Sequence, residues 1–109
     1  MSILSGIVVP GDILADVKNH LDITWNDANE DKKIQGLIAS GMTYLDGKLG
    51  AKGDYRIAGS PRTLLFEYVR YARDGAMDLF ESNYRHLILA MQTERQVQDY
   101  GKAISNQTG

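Results

Sequence analysis

Cysteine is absent from the 109-residue chain, which excludes disulfides, thiolate zinc sites and cysteine nucleophiles. Histidine occurs only at His20 and His86. Neither belongs to a recognisable cluster of ligating residues, so we expect both to lie at or near the surface rather than to bind a metal. With these residue types missing or scarce, little catalytic chemistry is available to the chain.

Long apolar runs and a strong net charge are also missing. No stretch approaches the roughly 18 apolar residues that cross a bilayer, and the N-terminus lacks the basic region of a signal peptide. Twelve basic and fourteen acidic residues give a net charge of −2, with both signs interspersed. This balance disfavours a general nucleic-acid binder, which would concentrate Lys and Arg on one face.

Nothing in the polar residues indicates a catalytic or nucleotide site. The glycines between residues 50 and 59 match neither GxxxxGK[ST] nor GxGxxG. Asp27, Glu30 and Asp31 lie where capping of a helix explains them, because a helix N-terminus favours ionised carboxylates. Ser60 and Thr63 have no base at a recognisable spacing. The sequence therefore predicts no enzyme activity, no cofactor and no metal.

The strongest positive feature is the segment from Asn29 to Gly50. Asn29 is the expected cap and Gly50 the expected end of one long amphipathic helix. Its apolar stripe consists of Ile34, Leu37, Ile38, Gly41, Tyr44, Leu45 and Leu49. Because Gly41 lies on this stripe, it predicts a close crossing by another helix, which we place at residues 69–76.

The remaining periodicity predicts an all-α fold, a small bundle of three to four helices at about residues 12–21, 30–49, 61–81 and 83–99. Asp12 and Ser60 are the expected caps of the first and third helices, and residues 81–83 the expected break before the last. Residues 50–59 form a Gly-rich loop or a short hairpin. The predicted organisation is an N-terminal arm at 1–11, a helical domain at 12–100 and a flexible tail at 101–109.

Tyrosine and arginine together are typical of protein interfaces, and the chain has six tyrosines. Trp25 has two interpretations: it covers the core between the first two helices, or it is an anchor between subunits. The apolar arm likewise either covers its own domain or packs on a partner. The candidate interface residues are Ile7, Val8, Val9, Trp25, Tyr55, Arg56, Ile57, Arg70, Tyr71 and Arg73.

The order of hydrophobic residues and turns resembles the head–tail connector family of tailed bacteriophages and prophages, also called head-completion or adaptor proteins. The resemblance spans residues 13–91. It lies in LADVKNHLDI at 14–23, WND at 25–27, DKKI at 31–34, LIASGMTYL at 37–45, LLFEYVRYAR at 64–73, and the segments 76–80 and 84–91. Gly41 stands where the family usually has alanine. No functional residue can be transferred individually, because the pattern contains no diagnostic site motif.

The resemblance implies a structural role in the virion, at the head–tail junction of the capsid vertex, with assembly in the host cytoplasm. Such proteins form a ring below the portal protein, which would match the portal's symmetry. They extend the channel through which DNA passes without sequence-specific binding, and they dock the next connector, stopper or tail-completion protein. No cofactor and no membrane are implied. The alternative is a small helical regulatory module that binds protein or DNA, and an enzyme subunit is a more distant one.

Overall fold

The structure is a computed structural model that describes residues 9–108, with side chains described up to Ile104. Within that range it contains four helices and no strand: α1 Gly11–His20, α2 Ala28–Leu49, α3 Ser60–Arg73 and α4 Met77–Thr108. The prediction of a small all-α bundle is confirmed, whereas the hairpin considered for residues 50–59 is wrong. No helix in the described part of the chain is long and apolar enough to cross a membrane.

The starts of the first three predicted helices are displaced by one or two residues. Asp27 rather than Asn29 caps α2, and its carboxylate accepts hydrogen bonds from two backbone N–H groups at 2.9 and 3.2 Å. Pro10 rather than Asp12 precedes α1, and Gly59 rather than Ser60 precedes α3. The predicted end of α2 is confirmed, because Gly50 adopts the left-handed conformation with φ of 78°.

The break between α3 and α4 lies at residues 74–76, so the prediction of one helix over 61–81 is wrong. Gly75 has a φ of 70°. Its N–H donates to Ala72 O at 3.2 Å, and the N–H of Ala76 donates to Tyr71 O at 2.8 Å. These two bonds form a Schellman motif, which closes α3 by satisfying its last carbonyl groups. Residues 81–83, the predicted break, therefore lie inside α4, and Leu79 is exposed.

The core forms where α2, α3 and α4 pack together, and α1 lies across α2 and α3. A Cβ atom on Gly41 would lie 2.8 Å from both Leu65 Cδ1 and Tyr68 Cδ1. The predicted close crossing at this glycine is therefore confirmed, although the contact residues of α3 precede the predicted 69–76. The buried apolar side chains are Ile13, Val17, Ile23, Ile34, Ile38, Ala39, Met42, Leu45, Tyr55, Leu64, Leu65, Phe66, Val69, Phe80, Ile88 and Met91.

The last part of α4 extends beyond the bundle. Up to Ile104, Met91 is its last buried residue, and every residue from Gln96 to Ile104 is exposed. The dimensions of 54 × 30 × 27 Å reflect this projection. The prediction that the helix ends near residue 99 is wrong, since residues 101–108 continue it.

Candidate interaction surface

The predicted interface residue Tyr55 is buried, with 6% of its surface exposed. Its hydroxyl donates to Asp46 Oδ1 at 2.5 Å, and the same carboxylate oxygen accepts from the N–H of Gly53 at 2.9 Å. Burial and this hydrogen bond raise the pKa of Tyr55 well above its usual 10. Tyr55 therefore anchors the loop to the end of α2, which removes it from the candidate interface.

The two neighbours of Tyr55 in the prediction behave differently. Ile57 is exposed and borders a cleft of about 280 Å³ between the loop and α4. Arg56 is also exposed, and its Nε lies 3.8 Å from Asp12 Oδ2 at the start of α1. Both therefore remain available to a partner.

The arginines predicted on α3 are paired within the bundle. Arg73 Nη2 lies 2.7 Å from Glu30 Oε1 of α2, and Arg70 Nε lies 3.4 Å from Glu67 Oε2. Tyr71 is half-buried, with its ring centroid 5.9 Å from that of Phe80. Arg73 and Tyr71 thus serve contacts between helices, whereas Arg70 pairs within α3. Each of the two arginines has a carboxylate beside its charge.

Glu67 is the centre of a polar network that joins α1, α3 and α4. It accepts from the Tyr84 hydroxyl at 2.7 Å and lies 2.7 Å from His20 Nε2. Burial alone would raise the pKa of Glu67, but the hydrogen bonds from Tyr84 and His20 and the charge of Arg70 outweigh it and lower the pKa below its usual value. The bond to Glu67 and burial raise the pKa of Tyr84. Because the ionised Glu67 carboxylate of α3 contacts Tyr84 of α4 and His20 of α1, it fixes the positions of these three helices relative to one another.

Trp25 is 53% exposed, so its interpretation as a cover for the core is wrong. Ile23 occupies that position instead. Asp22 adopts a positive φ of 60°, and the N–H of Ile23 then donates to Lys18 O at 2.8 Å. This second Schellman-type ending turns Ile23 into the core and leaves Trp25 outside. Its role as an anchor between subunits stays a prediction.

The N-terminal arm is only partly within the described residues. Val9 is half-buried and packs against the core, so this end of the arm covers its own domain. Ile7 and Val8 lie outside the described residues.

A surface that the ten candidate residues do not include runs along α4. We call Leu89, Val97 and Tyr100 the α4 stripe, because their spacing places them on one side of the helix. Val97 and Tyr100 are each 65% exposed, and Ile104 follows one turn later on the same side. The signal was present in the sequence as apolar residues at i, i+3 and i+7, but the polar residues between them suggested a weakening helix.

A second missed surface lies at the other end of the bundle. We call it the α2–α3 groove, an open and mostly apolar depression of about 540 Å³. It lies between the first half of α2 and the last turn of α3. The groove is lined by Glu30, Lys33, Ile34, Gly36, Leu37, Ser40, Ala72 and Arg73.

Neither surface carries a recognisable reaction centre. Among the described residues there is no group of three or more His, Asp or Glu side chains placed to hold a metal. What these surfaces offer is uncovered apolar area, which is a typical feature of sites where proteins interact.

No family model, no curated protein and no solved structure matches the chain. The resemblance to phage connectors therefore rests on the residue pattern of segments 13–91.

Proposed function

We propose that the chain is a structural subunit of the head–tail connector of a tailed bacteriophage or prophage. In this role it assembles as a ring below the portal protein, extends the channel for DNA, and docks the next connector, stopper or tail-completion protein. The observation that carries the proposal is the projecting end of α4, where Val97 and Tyr100 expose apolar area that its own bundle does not cover.

A ring subunit needs surfaces for its neighbours, and this chain has several of suitable character. The α4 stripe and the α2–α3 groove supply apolar area at opposite ends of the bundle. Trp25 and Ile57 are exposed apolar residues elsewhere on the surface, which suits contacts with the portal or the next connector. The net charge of −2 suits a channel wall that DNA passes without adhering.

The assembly state of the purified chain tests the proposal. Native mass spectrometry and light scattering over a range of concentrations should give closed oligomers of one defined subunit number, alone or with a purified portal protein. A monomer at high concentration, both alone and with the portal, would refute it. The position of the gene is a second test, since a connector gene is expected between capsid and tail genes.

The alternative of a DNA-binding regulator has less support from the charges. The most basic part of α3 contains Arg70 and Arg73, and each pairs with a carboxylate. Measured DNA affinity should accordingly be weak. A strong affinity that falls steeply with salt would favour the regulator over the connector.

A further inference from the structure

We infer that the projecting end of α4 docks into the α2–α3 groove of a second copy of this chain. The inference rests on the proposed function, since it assigns the surfaces through which neighbouring subunits of the ring would meet. Both surfaces are apolar and both are uncovered in the described part of the chain. An apolar helix face lying in a groove is a common way for proteins to recognise helices.

The projection requires support that its own bundle does not give. From Gln96 to Ala103 every residue of the helix is exposed, so no side chain in that range is buried against α2 or α3. An isolated helix of this length is only marginally stable in water. Burial of Val97 and Tyr100 against a neighbour would supply the packing that stabilises the helical form.

The groove has the shape that a helix requires. A Cβ atom on Gly36 would meet no atom within 4 Å, so this glycine is not needed for packing inside the bundle. With Ser40 one turn later on α2, and Ala72 across on α3, it gives the groove three small residues among its larger lining side chains. Small residues at such positions let another helix approach closely, as in helix pairs elsewhere.

The lengths of the two surfaces also agree. The groove extends along α2 from Glu30 to Ser40, which corresponds to about 15 Å at 1.5 Å per residue. The projection from Gln96 to Thr108 spans about 20 Å by the same measure. A projecting helix can thus cover the whole groove.

The projecting end of α4 cannot reach the α2–α3 groove of its own chain. Gln92 of α4 donates to Lys48 O at 2.9 Å, so α4 leaves the bundle at the C-terminal end of α2. Gly36 lies twelve residues earlier on α2, about 18 Å away along the helix axis. Because α4 continues away from that end, the occupant of the groove must be another molecule.

Two different surfaces at opposite ends make a head-to-tail interface. Each subunit then gives its projection to one neighbour and receives a projection from the other. Contacts of this kind produce closed rings when the rotation between subunits closes. A symmetric pairing of two α4 helices would instead stop at a dimer or a small bundle.

The charges beside the two surfaces are complementary. Lys33 lies on the rim of the groove, and Glu94 precedes Val97 by three residues on the flank of the α4 stripe. Neither side chain belongs to an ion pair among residues 9–104. Their opposite charges favour this docking over one that places like charges together.

Two variants separate the two halves of the interface. In the projection variant, Val97→Gln and Tyr100→Gln remove the apolar surface at exposed positions where glutamine keeps the helix. In the groove variant, Gly36→Gln places a side chain in the groove, and its Cβ atom would have no atom of the bundle within 4 Å. Matched controls are Gly47→Gln, in the same helix but outside the groove, and Asp99→Gln with Lys102→Gln on the opposite side of α4.

Sedimentation velocity and native mass spectrometry should show that each variant alone is monomeric where wild type and controls assemble. The expected loss of affinity is at least about tenfold, as for central residues of an interface. An equimolar mixture of the two variants should form a one-to-one dimer and nothing larger, because one intact projection meets one intact groove. Charge reversal should agree: Lys33→Glu and Glu94→Lys each weaken assembly, and together they restore it.

Other outcomes overturn the inference in distinguishable ways. If the projection variant is monomeric, the groove variant assembles normally and the mixture gives no dimer that contains both variants, then α4 pairs with α4. If both variants assemble as wild type does, the neighbours meet through other surfaces and the proposed connector ring stands without this interface. If wild type itself is monomeric with and without the portal protein, both the inference and the proposed function fail.

Discussion

Substitution of two glycines in α2 by alanine provides a direct test of how closely α2 and α3 approach each other. Alanine at an open helical position stabilises a helix by up to about 1 kcal/mol relative to glycine. Gly47 is exposed, and a Cβ atom there would meet nothing within 4 Å. We therefore expect Gly47→Ala to raise the free energy of unfolding by about 0.5–1 kcal/mol.

Gly41→Ala has the same helical benefit but a steric cost. The new Cβ atom would lie 2.8 Å from Leu65 Cδ1 and from Tyr68 Cδ1, whereas carbon atoms in contact are best separated by about 3.5–4 Å. Leu65 is fully buried, so it cannot move aside without disturbing its neighbours. Overpacking of this kind costs about 1–3 kcal/mol. The net effect of Gly41→Ala is to lower the free energy of unfolding by roughly 0–2 kcal/mol.

The measurement is urea unfolding followed by circular dichroism, with both variants and wild type in parallel. The free energy of unfolding should be about 1–3 kcal/mol lower for Gly41→Ala than for Gly47→Ala. Each kcal/mol corresponds to roughly 4 °C or more in Tm. Protein should be dilute, and two concentrations should agree, because assembly would add apparent stability. Equal stabilisation by the two substitutions would mean that α3 does not approach Gly41 as closely as 2.8 Å.

Two further substitutions test polar contacts. Tyr55→Phe removes the hydroxyl bonded to the Asp46 carboxylate and should destabilise the fold by about 1.5–3 kcal/mol in urea unfolding. The control Tyr100→Phe, at an exposed position, should change the free energy of unfolding by less than about 0.5 kcal/mol. Equal effects of the two substitutions would contradict the anchoring of the loop by Tyr55. Glu67→Gln tests the network at Tyr84. The pKa of Glu67 is lowered from its usual 4.5, so its carboxylate stabilises the fold fully above that pH and loses this effect as the pH falls through the lower folded-state pKa. At pH 7 the free energy of unfolding should be larger for wild type than for Glu67→Gln, and this difference should shrink towards pH 3. A difference that stays constant with pH would contradict an ionised Glu67 in the network.

The sequence was sufficient to locate the elements of the fold because their signals are local. The stripe of α2 and its end at Gly50 depend on residues close together in the chain, and the structure agrees with both. Even the crossing at Gly41 followed from local information, since a glycine on an apolar stripe indicates that a neighbouring helix packs closely there. The position of the partner helix was wrong because it depends on how two separate segments align.

The break between α3 and α4 shows where local signals conflict. Gly75 can end a helix, and the segment 81–83 also contains residues that can do so. The choice of Gly75 requires the hydrogen bonds that the N–H groups of Gly75 and Ala76 donate to the end of α3, and the burial of Phe80 against that helix. These are tertiary effects, which override propensity.

The candidate surface was harder to predict than the fold for the same reason. Tyr55 and Ile57 alternate with polar residues, yet Asp46 draws Tyr55 into the core while Ile57 stays outside. The α2–α3 groove could not be seen at all, because its two sides come from segments more than thirty residues apart. Whether a residue is exposed depends on how the helices pack, which local sequence patterns predict only indirectly.

The glycines of α2 offer a way to separate what the domain needs for folding from what it needs for assembly. Each weakens the helix by up to about 1 kcal/mol, so each calls for a reason. Gly41 has one inside the bundle, since α3 leaves no room for a side chain. Gly36 has none there, and the proposed docking would supply one outside, where a neighbouring helix would occupy the space that a side chain would fill. Gly47 has neither, and nothing in the structure explains it. A glycine that costs stability in the single chain is what we expect of a surface that is complete only in the proposed ring.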